Sequence, residues 1–184
     1  MLEKSGVAER MMHSMQKLFG SVRGGLAITV ALIGIILAAS TGIIGASVVL
    51  LGLMSLPVML NQNYDKSLAL GTVAASGCLG ILIPPSIMLV IMGDQLAVPI
   101  LDLFMAAVFP GLILGALYIV YILVYCKIFP EKAPLAADHG EIELKDILKA
   151  LIDIIPPAGL ILLVLGSIFM GIATVTEASG VGAL

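Results

Sequence analysis

The chain has 184 residues, of which 60% are hydrophobic and only 11% charged, with a formal net charge of -3. A soluble domain is roughly half apolar and a quarter charged, so this composition excludes an ordinary soluble fold, and the small negative charge offers no electrostatic footprint for nucleic acid. No Asp, Glu, Lys, Arg or His falls within residues 24–64, 67–93, 103–126 or 154–176. A bilayer accounts for such gaps, because about 20 apolar helical residues cross its core and every backbone polar group inside has to be paired. The expected fold class is an all-α polytopic membrane protein.

Residues 1–25 read as an amphipathic helix lying in the membrane interface. Val7, Ala8, Met11, Met12, Met15, Leu18 and Phe19 fall at helical spacing, and Glu3, Lys4, Glu9, Arg10, Gln16 and Lys17 lie opposite. Its charges interleave with its apolar residues, which a secretory signal does not allow. Residues 26–60 follow as two apolar arms, 26–39 and 46–60, around Ser40-Thr41-Gly42-Ile43-Ile44-Gly45. An arm of about 15 residues reaches only about 22 Å against a core of about 30 Å, which predicts a re-entrant hairpin with a polar tip at mid-depth.

Residues 67–92 are long enough to span but carry Gly71, Gly77, Gly80, Pro84, Pro85 and Ser86. Two prolines after two glycines open several backbone groups, so a broken helix is expected, one half ending before Gly77 and the other starting near Ser86. Residues 103–126 read as a plain span and 127–150 as a charged cytoplasmic linker ending in a short amphipathic helix from Leu144. Residues 151–184 hold a further span, kinked at Pro156-Pro157 near its entry. Lys and Arg gather in the N-terminal helix, at Lys66 and in the linker, while residues 93–102 have none. The N-terminal helix is therefore expected on the cytoplasmic side.

A hairpin tip and an unwound helix at one depth are costly unless they face protein or water. Secondary transporters use that geometry: half-helix N-termini suit a carboxylate, and freed carbonyls and hydroxyls coordinate a small cation. The candidate donors are Ser40, Thr41, Ser47, Ser76 and Ser86 with the backbone of Gly42, Gly45, Gly77, Gly80 and Pro84. Proton coupling normally needs an intramembrane carboxylate or histidine, absent from the first three apolar elements, so Na+ is the expected coupling ion. Cys78 and Cys126 have no ligand spacing and read as packing residues, and His13 and His139 as solvated. Gly34, Gly115 and Gly166 read as sites of close helix packing, and Ser47 and Ser55 as either functional or bonded back to their own helices. Glu177 fits both a capping-box partner for Thr174 and a functional carboxylate. No nucleophile with its base, carboxylate pair or metal cluster falls in the spans, so no enzyme is expected.

Gly77-Cys78-Leu79-Gly80-Ile81-Leu82-Ile83-Pro84-Pro85-Ser86-Ile87 resembles the large membrane subunit of the tripartite ATP-independent periplasmic (TRAP) transporters. The Ser40 to Gly42 tip, Leu56-Pro57-Val58-Met59, Asp102-Leu103-Phe104 with Pro110-Gly111, and Gly171-Ile172-Ala173-Thr174-Val175-Thr176-Glu177-Ala178 stand in that family's order, although Val175 replaces its usual proline. The resemblance implies an elevator-type symporter in a bacterial inner membrane, importing a dicarboxylate, a 2-oxo acid, a sialic acid or a similar acid on a sodium gradient. It further implies a small membrane subunit and a periplasmic solute-binding protein as partners. The ion is then expected at Ser40, Thr41, Gly42, Gly80 and Pro84, and the substrate at Ser47, Gly77, Pro85 and Ser86. The chain stops where that family's second inverted half would begin, so it is read as a fragment that would not transport alone. Two other readings stay open: a related divalent-anion elevator symporter that needs no binding protein, and a channel-like or assembly subunit whose helix breaks serve packing alone.

Overall fold

Helices α1 (Val7–Phe19), α2 (Gly25–Thr41), α3 (Ile44–Asn61), α4 (Lys66–Cys78), α5 (Ile87–Leu96), α6 (Ile100–Ile128) and α7 (Leu144–Phe169) make up the fold, with 3-10 turns at Leu79–Ile81 and Pro130–Lys132. This computed structural model describes residues 7–20, 22–134, 144–174 and 177–178; the expectations for His139 and for Val175 lie outside them. Among the described residues three helical stretches are long and apolar enough to cross a membrane: Ile44–Asn61, Ile100–Ile128 and Ile147–Phe169. The protein is an all-α membrane protein.

The centre of the bundle is α2, which packs against α1, α3, α4, α6 and α7. Leu26, Ala27, Ile28, Thr29, Val30, Ala31 and Ile33 are all buried on it, so it is apolar on every side. The Thr29 hydroxyl is satisfied by the Gly25 carbonyl one turn back, at 2.9 Å. Along α1, Met11, Met12 and Met15 are buried while His13 faces out.

After Thr41 the chain reverses through Gly42 and Ile43 alone and returns as α3. The second arm is longer than its sequence suggested. With 18 residues α3 reaches about 27 Å at 1.5 Å per residue, so shortness does not keep it from crossing. Its serines bond back to their own helix, Ser47 to the Ile43 carbonyl at 3.1 Å and Ser55 to that of Leu51 at 2.5 Å.

Asp65 starts α4 by accepting the Ser67 and Leu68 amides at 3.0 and 3.2 Å, an N-cap. Small residues bring α4 onto its neighbours. A Cβ on Gly34 of α2 would lie 2.5 Å from the Ser76 Cβ, and one on Gly77 would lie 2.3 Å from Val48 Cγ2 and 3.0 Å from the Val48 backbone. Gly77→Val therefore forces α3 and α4 apart. The expected cost is about 1–3 kcal/mol or more, read as a lowered melting temperature of the purified protein, whereas Gly71→Ala, with open space at its Cβ, should leave it within error. Gly115 likewise admits Ile35, but Gly166 meets nothing within 4 Å among the described residues, so its expected packing role is not found there.

The α6 helix takes Pro99 as its N-cap and Asp102 into its first turn, where a carboxylate suits the positive helix end. The largest departure from the sequence reading is α7. The short helix expected inside the 127–150 linker and the span expected from residue 151 are one continuous helix, Leu144–Phe169, running through Pro156 and Pro157. Its first turns lie against α1, and the Ser14 hydroxyl donates to the Asp153 carboxylate at 2.5 Å. This contact anchors α7 to α1 one turn before Pro156-Pro157.

Tyr64, 5% exposed in the α3–α4 turn, seals the bottom of the core. Burial pushes its phenol up to about 12, against the opposing pull of the Leu26 amide. A raised pKa means the fold favours neutral tyrosine. That stability is complete below the unfolded value of 10.0 and is lost as pH climbs towards 12. Alkaline titration of phenolate absorbance should show one transition near pH 12 that is missing from Tyr64→Phe.

Candidate functional site

The hairpin tip and the helix break meet. Gly42 stands at φ +61 with its Cα so close to the break that a Cβ would sit 2.8 Å from the Pro85 carbonyl oxygen and 3.4 Å from the Ile87 amide nitrogen. Only glycine combines that left-handed backbone with that approach. On the other side, α4 ends at Cys78, tightens into the turn Leu79–Ile81, and the chain stays non-helical through the Pro84-Pro85 peptide until Ser86 caps α5 in an extended conformation, φ -128 and ψ 128. Both α3 and α5 start here without any side-chain cap, so two sets of first-turn amides open at one level.

Between tip and break lies a cavity of about 270 Å³. Ser40, Thr41, Pro85 and Ser86 form its polar side, and Phe104 of α6 with Leu160, Val164 and Ile168 of α7 form its apolar side. The hydroxyl protons of Ser40 and Thr41 are already committed. Ser40 donates to the Leu37 carbonyl at 2.9 Å. Ser47 donates to Ile43, so the 2.6 Å contact between Thr41 and Ser47 is a Thr41 donation. The oxygens of Ser40 and Thr41 therefore keep lone pairs for another group. The third oxygen is more telling: Ser86 is 1% exposed and among the described residues its Oγ has no hydrogen-bond partner. A buried unpaired hydroxyl costs about 1–3 kcal/mol, and such a group in a cavity calls for a ligand to explain it.

Of the residues singled out from sequence, four line this cavity and Gly42 closes it. Ser47 stands one turn inside α3, buried, and acts by fixing Thr41. Gly77 meets the Val48 backbone, Gly80 is buried in the 3-10 turn, and Pro84 is buried behind Pro85. Ser76 lies on the α2–α4 contact, and Gly45 is exposed, with open space around it. The apolar wall was not singled out, because nothing in an apolar span tells which side faces a cavity.

Among the described residues no three His, Cys, Asp or Glu side chains gather to hold a metal ion. The donors at hand are hydroxyl and carbonyl oxygens, hard and neutral, which suit a weakly bound monovalent cation. Glu177 is occupied in a capping box: the Thr174 amide and hydroxyl donate to its carboxylate at 2.9 and 2.8 Å, which also holds that carboxyl below its ordinary pKa.

The family model described as tripartite ATP-independent periplasmic transporter, DctM component, matches residues 1–184. The chain is 33% identical over 179 residues to a C4-dicarboxylate TRAP transporter large permease protein of Pseudomonas aeruginosa, covering 97% of this chain and 41% of that one. It is 30% identical to an isethionate TRAP transporter permease protein of Oleidesulfovibrio alaskensis, covering 97% and 27%, and 30% identical to an ectoine TRAP transporter large permease protein of Halomonas elongata, covering 94% and 39%. The chain thus spans about two fifths or less of the length of these relatives.

Proposed function

The chain belongs to the DctM component family of the tripartite ATP-independent periplasmic transporters, and from that premise we propose that it supplies one half of the ion and substrate site of a sodium-driven importer of small organic acids. The observation that carries the reading is the unpaired Ser86 hydroxyl in a cavity where a hairpin tip meets a helix break. Sodium binds the spare oxygens of Ser40, Thr41 and Ser86 and the nearby carbonyls. The substrate's acid group lies against the uncapped amides that open α5, where the helix dipole favours negative charge. Sodium then organises the tip and lowers the cost of bringing the anion in, which couples the two.

In this reading the protein sits in the bacterial inner membrane with α1 on the cytoplasmic side, beside a small membrane subunit and fed by a periplasmic binding protein. The test is uptake into proteoliposomes holding the complete permease and its small partner. Because relatives are named for C4-dicarboxylates, isethionate and ectoine, the radiolabelled panel has to include all three. Uptake that needs both inward sodium and the binding protein is expected. Uptake indifferent to the binding protein would point to the self-sufficient anion symporter, and no concentrative uptake under either a sodium or a proton gradient would leave the helix breaks as packing devices.

A further inference from the structure

A second cavity, of about 240 Å³, opens between α4 and α6, away from the hairpin tip. Gly71 and Ala75 of α4 form its floor, and Tyr118, Tyr121 and Tyr125 of α6 line its side. On the same helix Leu117, Val120, Tyr121 and Val124 are half or more exposed. That face is apolar and open in this chain, and an apolar helix face in a bilayer suits acyl chains.

One end of the groove is cationic and aromatic. Lys132 Nζ donates to the Tyr125 hydroxyl at 3.0 Å and stands 5.6 and 5.4 Å above the Tyr125 and Phe129 rings. The lysine is held there by backbone: its carbonyl accepts the Asp65 amide at 3.0 Å, tying the Pro130–Lys132 turn to the start of α4. Two of its three ammonium protons remain for a partner. Exposed Lys66 opens α4 and exposed Lys127 lies in the last turn of α6. Among the described residues Glu131 and Asp65 adjoin Lys132 and Lys66 in sequence, and Asp65 is committed to capping α4. Tyrosine and lysine at the end of an apolar groove is the pattern of a membrane interface, where aromatic belts and basic residues meet headgroups.

We propose that this groove is a binding site for an anionic phospholipid, with an acyl chain along Gly71 and Ala75 between α4 and α6 and the headgroup phosphate on Lys132. The groove offers a lipid what it needs at each end: apolar small residues, then hydroxyls, then an ammonium.

Native mass spectrometry of the complete detergent-purified permease, titrated with phosphatidylglycerol and with phosphatidylcholine, tests this. Gly71→Leu fills the groove without a clash at its Cβ, since that position meets nothing within 4 Å. It should weaken retention of both lipids about tenfold or more, the loss expected from keeping two methylenes out. Lys132→Gln should weaken phosphatidylglycerol about fivefold, the factor for one basic residue at an anionic lipid surface, and leave phosphatidylcholine unchanged. Both variants binding phosphatidylglycerol like the parent would overturn the proposal. So would a Gly71→Leu protein that no longer purifies intact while Lys132→Gln keeps full lipid preference, because the groove would then be filled by polypeptide.

Discussion

Gly42→Val is expected to reduce sodium-driven uptake to the level of empty vesicles. Any side chain at this φ of +61 pays about 1–2 kcal/mol for the left-handed backbone. The larger effect is the contact. The new Cβ would lie 2.8 Å from the Pro85 carbonyl oxygen and 3.4 Å from the Ser86 Cα and the Ile87 amide nitrogen. These are backbone atoms of the helix break, so no side chain can rotate away, and tip and break have to separate. The oxygens of Ser40 and Thr41 then no longer face Ser86 across the cavity. Gly166→Ala, whose Cβ meets nothing within 4 Å among the described residues, is the control and should keep its uptake. Wild-type uptake by a folded Gly42→Val protein would show that tip and break need not touch.

Ser86→Ala separates function from stability. The hydroxyl is buried and unpaired, so removing it relieves a desolvation cost of about 1–3 kcal/mol, and the variant should melt higher than the parent in sodium-free buffer. Since the proposed sodium site exists in the folded state alone, adding sodium should raise the melting temperature of the parent by linkage. That shift should shrink or vanish in Ser86→Ala, and uptake should fall at least about tenfold, the equivalent of one lost interaction of about 1.4 kcal/mol. A variant that melts lower yet transports normally would make Ser86 an ordinary packing residue.

The two predictions draw on residues whose importance is written in local chemistry. Pro84 and Pro85 cannot continue a helix, and Gly42 is one of few residues free to reverse the chain between two apolar arms. At Gly42 and at Pro84-Pro85 those local rules mark where helices stop, whereas Pro57, Pro110 and Pro156-Pro157 lie inside helices that continue. The charge-free stretches likewise mark a membrane protein, because the cost of ionised groups in hydrocarbon is paid residue by residue. What a single sequence does not carry is rotation. Leu160, Val164 and Ile168 close the apolar side of the cavity, yet α7 is apolar around most of its circumference, and which side turns inwards is set by packing against α1 and α2. The same limit explains α7 itself. Asp146, Lys149 and Asp153 resemble a solvent helix, and Pro156-Pro157 resembles a break, but α1 lies alongside and the helix runs on. The role of Ser47 was half legible: a serine on an apolar helix suggests a bond to its own backbone, and the structure adds that it fixes Thr41 as well.

A cation and an acid are proposed to share the space between Ser40 and Ser86. The measurement that tests this is the rate at which a membrane-impermeant thiol reagent labels Leu160→Cys, on the apolar wall of the cavity, in a Cys78→Ala background that removes the exposed native cysteine. Labelling should slow when sodium replaces potassium and slow again when a transported acid is added. A rate that neither sodium nor acid alters would place the site elsewhere.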